Sequence, residues 1–184
     1  MDNSFFCPLP WIHQFIQPNG IKMCCASQTT LNLSPEDFKQ SNYIKAVKDT
    51  IKSGKIPPDC QSCKNLESQG HESIRNIALR DWAYTIESVP DDLLYLDLRW
   101  SNLCNFSCRT CEPDFSSEIA REKQHLPIHK FNSKSQSDIL NGLSSLTRIN
   151  FTGGEPLLIK ENITVLEKLL ELNRTDCELL ITTN

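Results

Sequence analysis

Long apolar runs are missing from this chain of 184 residues. None approaches the ~20 residues needed to cross a bilayer, so a membrane is not an expected partner. A basic stripe is missing too. The formal charge is −4, from 19 Lys and Arg against 23 Asp and Glu, and nucleic acid is not an expected partner either. The amino-terminal stretch from Met1 to Pro8 lacks the positive region and apolar core of a signal peptide, so the expected location is cytoplasmic. Histidine is scarce, and the four present show no ligand spacing. Pro127 spoils the helix face that His125 and His129 would share. Internal repeats and low-complexity tracts are absent. Hydrophobic residues make up 39% of the chain, enough for a buried core, which argues against wholesale disorder. One or two domains fit this length.

Cysteine, in contrast, is abundant. Nine occur, an odd number, so a complete intramolecular disulfide framework would leave one thiol over. In a reducing cytosol disulfides are rare, and clustered cysteines more often bind metal or do chemistry. These fall in groups: Cys7, Cys24 and Cys25; then Cys60 and Cys63; then Cys104, Cys108 and Cys111. Cys177 stands alone and reads as a buried strand residue.

The first half of the chain reads as a small α+β unit. Trp11–Gln17 and Ile21–Cys25 flank Pro18-Asn19-Gly20, a hairpin signal. Ser34-Pro35-Glu36-Asp37 opens a helix, a second covers Tyr43–Lys52, and a longer one is expected over Glu67–Tyr84. A boundary is expected near Ser88–Asp92, where Pro90 breaks the pattern. That divides the chain into 1–88 and 89–184. Beyond it Leu94, Leu96 and Leu98 alternate with polar residues, as in a strand. Helices follow over Phe115–Gln124 and Asp138–Leu143, with residues 125–135 as loop. Leu146–Phe151 is a second strand, Glu161–Asn173 a helix and Cys177–Thr182 a third strand. Strand, helix, strand, helix, strand implies an α/β fold with parallel pairing. The chain stops straight after the third strand, so it is expected to be part of a longer protein.

Two motifs sit at strand ends. Cys104-Asn-Phe-Ser-Cys108-Arg-Thr-Cys111 follows the first strand of this second half. A 4Fe–4S cluster ordinarily takes four thiolates. Three on one loop hold three irons and leave the fourth open, and an open position is what separates a catalytic metal site from a structural one. Thr152-Gly153-Gly154-Glu155-Pro156 follows the second strand, where two glycines permit close backbone approach. Thr183-Asn184 follows the third. All three segments fall on one rim, where the active sites of such barrels lie.

The C-x3-C-x2-C spacing after a first strand, with Gly-Gly-Glu after a second, resembles the radical S-adenosylmethionine superfamily. The resemblance implies the N-terminal part of a partial (β/α)6 barrel, its first three strands, truncated after the third. It implies a 4Fe–4S cluster on Cys104, Cys108 and Cys111, with S-adenosylmethionine chelated at the fourth iron. One electron then cleaves the sulfonium, and a 5′-deoxyadenosyl radical abstracts hydrogen from substrate. By the same motif Gly153, Gly154 and Glu155 contact the methionyl amino group. Thr110 stands where many members carry an aromatic residue. An electron donor such as flavodoxin or ferredoxin is implied as a partner.

Cys7-x12-Gly20-x4-Cys25, followed by Cys60-x2-Cys63, resembles a SPASM or twitch domain, which carries an auxiliary iron–sulfur cluster. The implied ligands are Cys7, Cys25, Cys60 and Cys63. Cys24 takes the place of Cys25 if the turn slips by one residue, since neighbours on a strand face opposite ways. A metal would staple a segment too small to hold together well alone. Relatives with such modules often act on peptide or protein side chains, while others oxidise sugars or cyclitols. Two further readings remain open: a zinc-binding interaction protein, and an electron carrier without catalysis.

Overall fold

A computed structural model describes residues 5–123 and 133–183. The chain divides into two compact units. One comprises Met1–Gln14 and Ile21–Leu93, the other Phe15–Gly20 and Leu94–Asn184.

In the first unit, Pro8 opens a single buried helical turn, α1 (Leu9–Ile12), at the point where the sequence pattern suggests strand. All four of its residues are buried, so no alternation marks it. Strands β1 (His13–Gln17) and β2 (Gly20–Lys22) follow around Gly20, whose φ of +135° suits glycine. Strand β2 ends three residues earlier than the expected run Ile21–Cys25, so Cys24 and Cys25 lie in a turn. Helix α2 (Pro35–Gln40) is capped by Ser34, whose Oγ accepts from the Asp37 N–H at 3.1 Å. Helix α3 (Asn42–Lys52) is capped in the same way by Ser41 and buries Ile44, Val47 and Ile51 on one stripe. Lys48 shares that stripe, reaching Asp91 at 2.5 Å and lying over the Trp11 ring.

The long helix expected over Glu67–Tyr84 is instead two: α4 (Gln61–Ser68) and α5 (Ile74–Trp82). Gly70 takes φ +78°, which ends the first. Ser73 and Asn76 then form a reciprocal capping box that starts the second. The stretch Glu67–Ser73 is polar apart from Gly70, so no apolar period shows where the second helix starts.

In the second unit, β3 (Tyr95–Leu98), β4 (Arg148–Phe151) and β5 (Glu178–Ile181) are parallel, in register from Tyr95 opposite Arg148 to Phe151 opposite Ile181. Hydrogen bonding orders the strands of this unit β1–β3–β4–β5, β1 entering it through Phe15–Gln17. Leu96, Leu98, Ile149 and Phe151 are buried together, with Leu143 and Leu146 from the approach to β4. Helix α6 (Ser117–Glu122) is shorter than the expected Phe115–Gln124, because Ser116 caps it. Helix α7 (Ser133–Asn141) begins earlier than expected. Most of the loop expected at 125–135, including His125 and His129, lies outside the described residues. Helix α8 (Lys160–Glu171) crosses from β4 to β5, burying Val165 and Leu169, and Asn173 closes its end at φ +54°. Among the described residues, no helix is long and apolar enough to cross a membrane.

In-register parallel pairing brings the C-terminal ends of β3, β4 and β5 level. The segments after Leu98, Phe151 and Ile181 therefore leave from one edge of the sheet, and that edge carries both motifs of the second half.

Candidate functional site

The cysteine loop is tied down at several points. The Asn102 C=O accepts from the Ser117 N–H at 2.6 Å, and the Asn102 Nδ2 donates to the Pro113 C=O at 3.1 Å. The Cys104 N–H donates to the Ser117 hydroxyl at 3.0 Å, and that hydroxyl donates back to the Cys104 C=O at 3.1 Å. Ser116 donates to the Phe106 C=O at 2.9 Å. The start of α6 thus holds the loop by side-chain hydroxyls rather than by packing. A turn from the Cys111 N–H to the Cys108 C=O, 3.0 Å, sets the last two cysteines.

Cys104 is buried, Cys108 exposed and Cys111 half-buried. The Phe106 N–H points at the Cys104 sulfur, 3.4 Å away. Burial raises the Cys111 thiol above its usual pKa, and charge on Cys104 or Cys108 raises it further, a sign of how near the three lie. All three line one open cavity of about 250 Å³ with Phe106 and Phe115. Its other wall is Thr152, Gly153 and Gly154 after β4, and Thr182 and Thr183 after β5.

The two glycines are held hard against the cysteine loop. A Cβ on Gly154 would stand 1.9 Å from the Leu103 carbonyl oxygen. One on Gly153, where φ is +94°, would stand 2.4 Å from the Arg99 Cγ and 2.8 Å from the Ser101 C=O. The Glu155 N–H donates to the Leu103 C=O at 2.7 Å. The missing side chains therefore make room for the chain's own backbone just ahead of Cys104. Glu155 is buried, and its Oε1 accepts from the Leu157 N–H at 3.1 Å and from the Thr183 hydroxyl at 2.7 Å. Thr183 thereby joins the third strand end to the second.

In the first unit Cys7, Cys24, Cys60 and Cys63, all buried, line one mostly apolar pocket with Phe5, Met23, Ile74 and Arg75 among its walls. The void between them is about 10 Å³, room for one water at most. Cys25 is exposed and is not in this wall. Burial raises the Cys7 thiol far above its usual range, helped by charge on Cys24, Cys60 and Cys63. Burial likewise pushes Cys24 and Cys60 up to about 12. Asp59, next to Cys60, is fixed by Ser27 at 2.7 Å, the Thr29 N–H at 3.2 Å and the Tyr43 hydroxyl. Arg75 pairs with Glu67 at 2.6 Å and donates to the Phe6 C=O at 3.0 Å.

Among the described residues, no group of three or more His, Cys, Asp or Glu converges on one point as a single metal ion requires. A 4Fe–4S cube does not ask for that, because each thiolate takes its own iron. The donor chemistry of both sets is all sulfur, which suits iron–sulfur clusters. Only the trio faces an open cavity.

No family model matches the chain. Partial similarities to curated proteins do. The chain is 30% identical over 94 residues to the uncharacterized protein MJ0907 of Methanocaldococcus jannaschii, covering 50% of this chain and 29% of that one. It is 30% identical over 99 residues to a GTP 3′,8-cyclase of Campylobacter jejuni subsp. doylei, covering 54% and 30%. A GTP 3′,8-cyclase of Actinobacillus pleuropneumoniae is 24% identical over 102 residues, covering 54% and 28%. The matches support the superfamily and nothing finer. They span less than a third of each relative's length. No solved structure matches.

The structure thus brings Cys104, Cys108, Cys111, Gly153 and Gly154 to one cavity and sets the buried Glu155 beside it. It brings Cys7, Cys24, Cys60 and Cys63 to another, and it leaves Cys25 outside. Residues that sequence reasoning passed over also belong to the first cavity. Phe106 and Phe115 lie within or beside the cysteine loop, but no spacing marks them. Thr182 could be found only from the strand register, whereas its neighbour Thr183 is placed on this rim by the sequence itself.

Proposed function

We propose that this chain belongs to a radical S-adenosylmethionine enzyme, acting in the cytoplasm. The observation that carries the reading is the single cavity lined by three thiols from one strand end and two glycines from the next. Cys104, Cys108 and Cys111 would hold a 4Fe–4S cluster with one iron left for S-adenosylmethionine. Bound there, the pair supplies one-electron cleavage to a 5′-deoxyadenosyl radical that takes hydrogen from substrate. The chain's own residues do the positioning. Gly153 and Gly154 keep the methionyl end close to the cysteine loop. Glu155, held by Thr183 and the Leu157 N–H, offers a carboxylate to the amino group. Phe106 and Phe115 give the cavity an apolar wall, an aromatic surface that Thr110 does not supply.

Cys7, Cys24, Cys60 and Cys63 would hold an auxiliary cluster. That requires the pocket to widen, since the void among the thiols is about 10 Å³. The expected electron donor is a flavodoxin or ferredoxin, and the expected substrate class is a peptide or protein side chain.

The test is anaerobic reconstitution with iron and sulfide, followed by S-adenosylmethionine and dithionite. Iron bound at the trio, and 5′-deoxyadenosine formed by a longer version carrying this segment, support the reading. Zinc retained in place of iron, or intact clusters with no 5′-deoxyadenosine, would overturn it.

A further inference from the structure

Arg99 directly follows β3, five residues before Cys104, and is buried, with 7% of its surface exposed. Its backbone N–H donates to the Ile16 C=O at 2.8 Å. Its guanidinium is clasped between two rings, 4.3 Å from Phe115 and 5.5 Å from Phe15. One nitrogen, Nη2, donates to Gln17 at 2.5 Å. The other two, Nε and Nη1, are buried and have no hydrogen-bond partner. Among the described residues no carboxylate forms an ion pair with it. Asp114 acts on it only through its field, and burial dominates, lowering the pKa of the guanidinium.

A buried cation with two idle donors is costly unless a negative charge answers it. Ring faces answer in part. The rest of the answer lies on the far side of those groups. Phe115, which stacks on the guanidinium, and Gly153, which rests on the Arg99 stem, both line the cavity of the three thiols. A cluster held there by three thiolates is anionic, and it gains one further negative charge on reduction. A ring and a backbone stand between guanidinium and cavity, so the two charges act on each other with less screening than in bulk water.

We propose that Arg99 is the built-in counter-charge of the trio's cluster, a positioning residue that favours its reduced form without touching it. The inference rests on the cluster reading given above. The step concerned is the uptake of one electron from an external reductant, with no proton moved and no bond formed to Arg99.

The experiment is a redox titration of the full chain, followed by EPR, after anaerobic reconstitution. The signal to follow is the one that Cys104→Ala removes. Arg99→Met keeps the stem against Gly153 but loses the charge. Its midpoint should fall, with the reduced-to-oxidised ratio at a fixed poise lower by roughly ten-fold, as for a unit charge at an effective dielectric of about 20. Arg99→Lys keeps the charge and should stay near the parent. Gln17→Glu leaves Arg99 in place but neutralises it locally, so it should shift the midpoint as Arg99→Met does; it serves if the methionine variant fails to fold. A parent chain that takes up no iron at the trio overturns the cluster reading, and this inference with it. A loaded chain whose midpoint is unmoved in Gln17→Glu and in any folded Arg99→Met overturns the inference alone. So does a lysine variant that shifts as far as methionine, since a packing role would then suffice.

Discussion

Replacing Gly154 with alanine adds one methyl group where the structure has no room for it. The new Cβ would sit 1.9 Å from the Leu103 carbonyl oxygen, 2.4 Å from its carbon and 2.8 Å from the Asn102 carbonyl carbon. All three are backbone atoms, so no side chain can swing aside. Relief needs the segment before Cys104 and the segment after β4 to part by about 1 Å, which strains packing by roughly 1–3 kcal/mol. It also breaks the 2.7 Å bond from the Glu155 N–H to the Leu103 C=O, worth about 1 kcal/mol. The expected loss of stability is about 2–4 kcal/mol. The same displacement moves Cys104 relative to Glu155, and a misplacement of that size costs about 100-fold in rate. Gly142→Ala is the matched control. Its Cβ would meet nothing nearer than the Ile139 C=O at 3.6 Å, so it should be neutral within about 0.5 kcal/mol. Urea unfolding measures the first quantity. Iron content and 5′-deoxyadenosine formed by a longer version measure the second. If Gly154→Ala matches Gly142→Ala in stability, iron and turnover, the glycine does not seat the cysteine loop.

Three further outcomes are expected. Cys24→Ser should lower the iron bound by the first unit while Cys25→Ser leaves it intact, as read by iron analysis on a Cys104→Ala background; equal losses would remove the distinction between them. Thr183→Val takes away a donor to the buried Glu155 and should slow 5′-deoxyadenosine formation by roughly five-fold, for a loss of about 1 kcal/mol, with Thr183→Ser near the parent; equal rates for valine and serine would refute the role. Glu67→Gln should cost about 1–2 kcal/mol at neutral pH. Arg75 holds the Glu67 carboxyl below its usual range, so this stability is complete above the ordinary carboxylate pKa and fades as pH falls through the depressed one. Urea midpoints at pH 7 and pH 3 check it: a gap that persists unchanged in acid would refute the ion-pair account.

The parts legible in sequence were those with local signatures. The alternation around Leu96 and Leu98, the Ser34 and Pro35 start, and the turn at Gly20 each need only a few neighbours to be read. The break between α4 and α5 escaped because the apolar residues Ile74, Ile77 and Ala78 all lie beyond it and do not mark where their helix begins, while the capping pair Ser73 and Asn76 carries no apolar mark. Helix α1 escaped because all four of its residues are buried, leaving no period. The choice between Cys24 and Cys25 escaped because β2 ends at Lys22, so the turn beyond it and not strand alternation decides which thiol faces inward. Arg99 escaped for another reason: its neighbours Phe15 and Phe115 are distant in sequence, and only the fold brings them together.

The even alignment of β3, β4 and β5 has a consequence for tolerance to insertion. Side chains along a strand alternate, so one extra residue just before Arg148 would turn Ile149 and Phe151 outward and drive Arg148 and Asn150 into the apolar layer. It would also carry the following diglycine a step past its seat on Leu103. Length variation in this strand is therefore doubly penalised, by the core and by the rim, whereas the exposed turn that precedes β5 answers to neither.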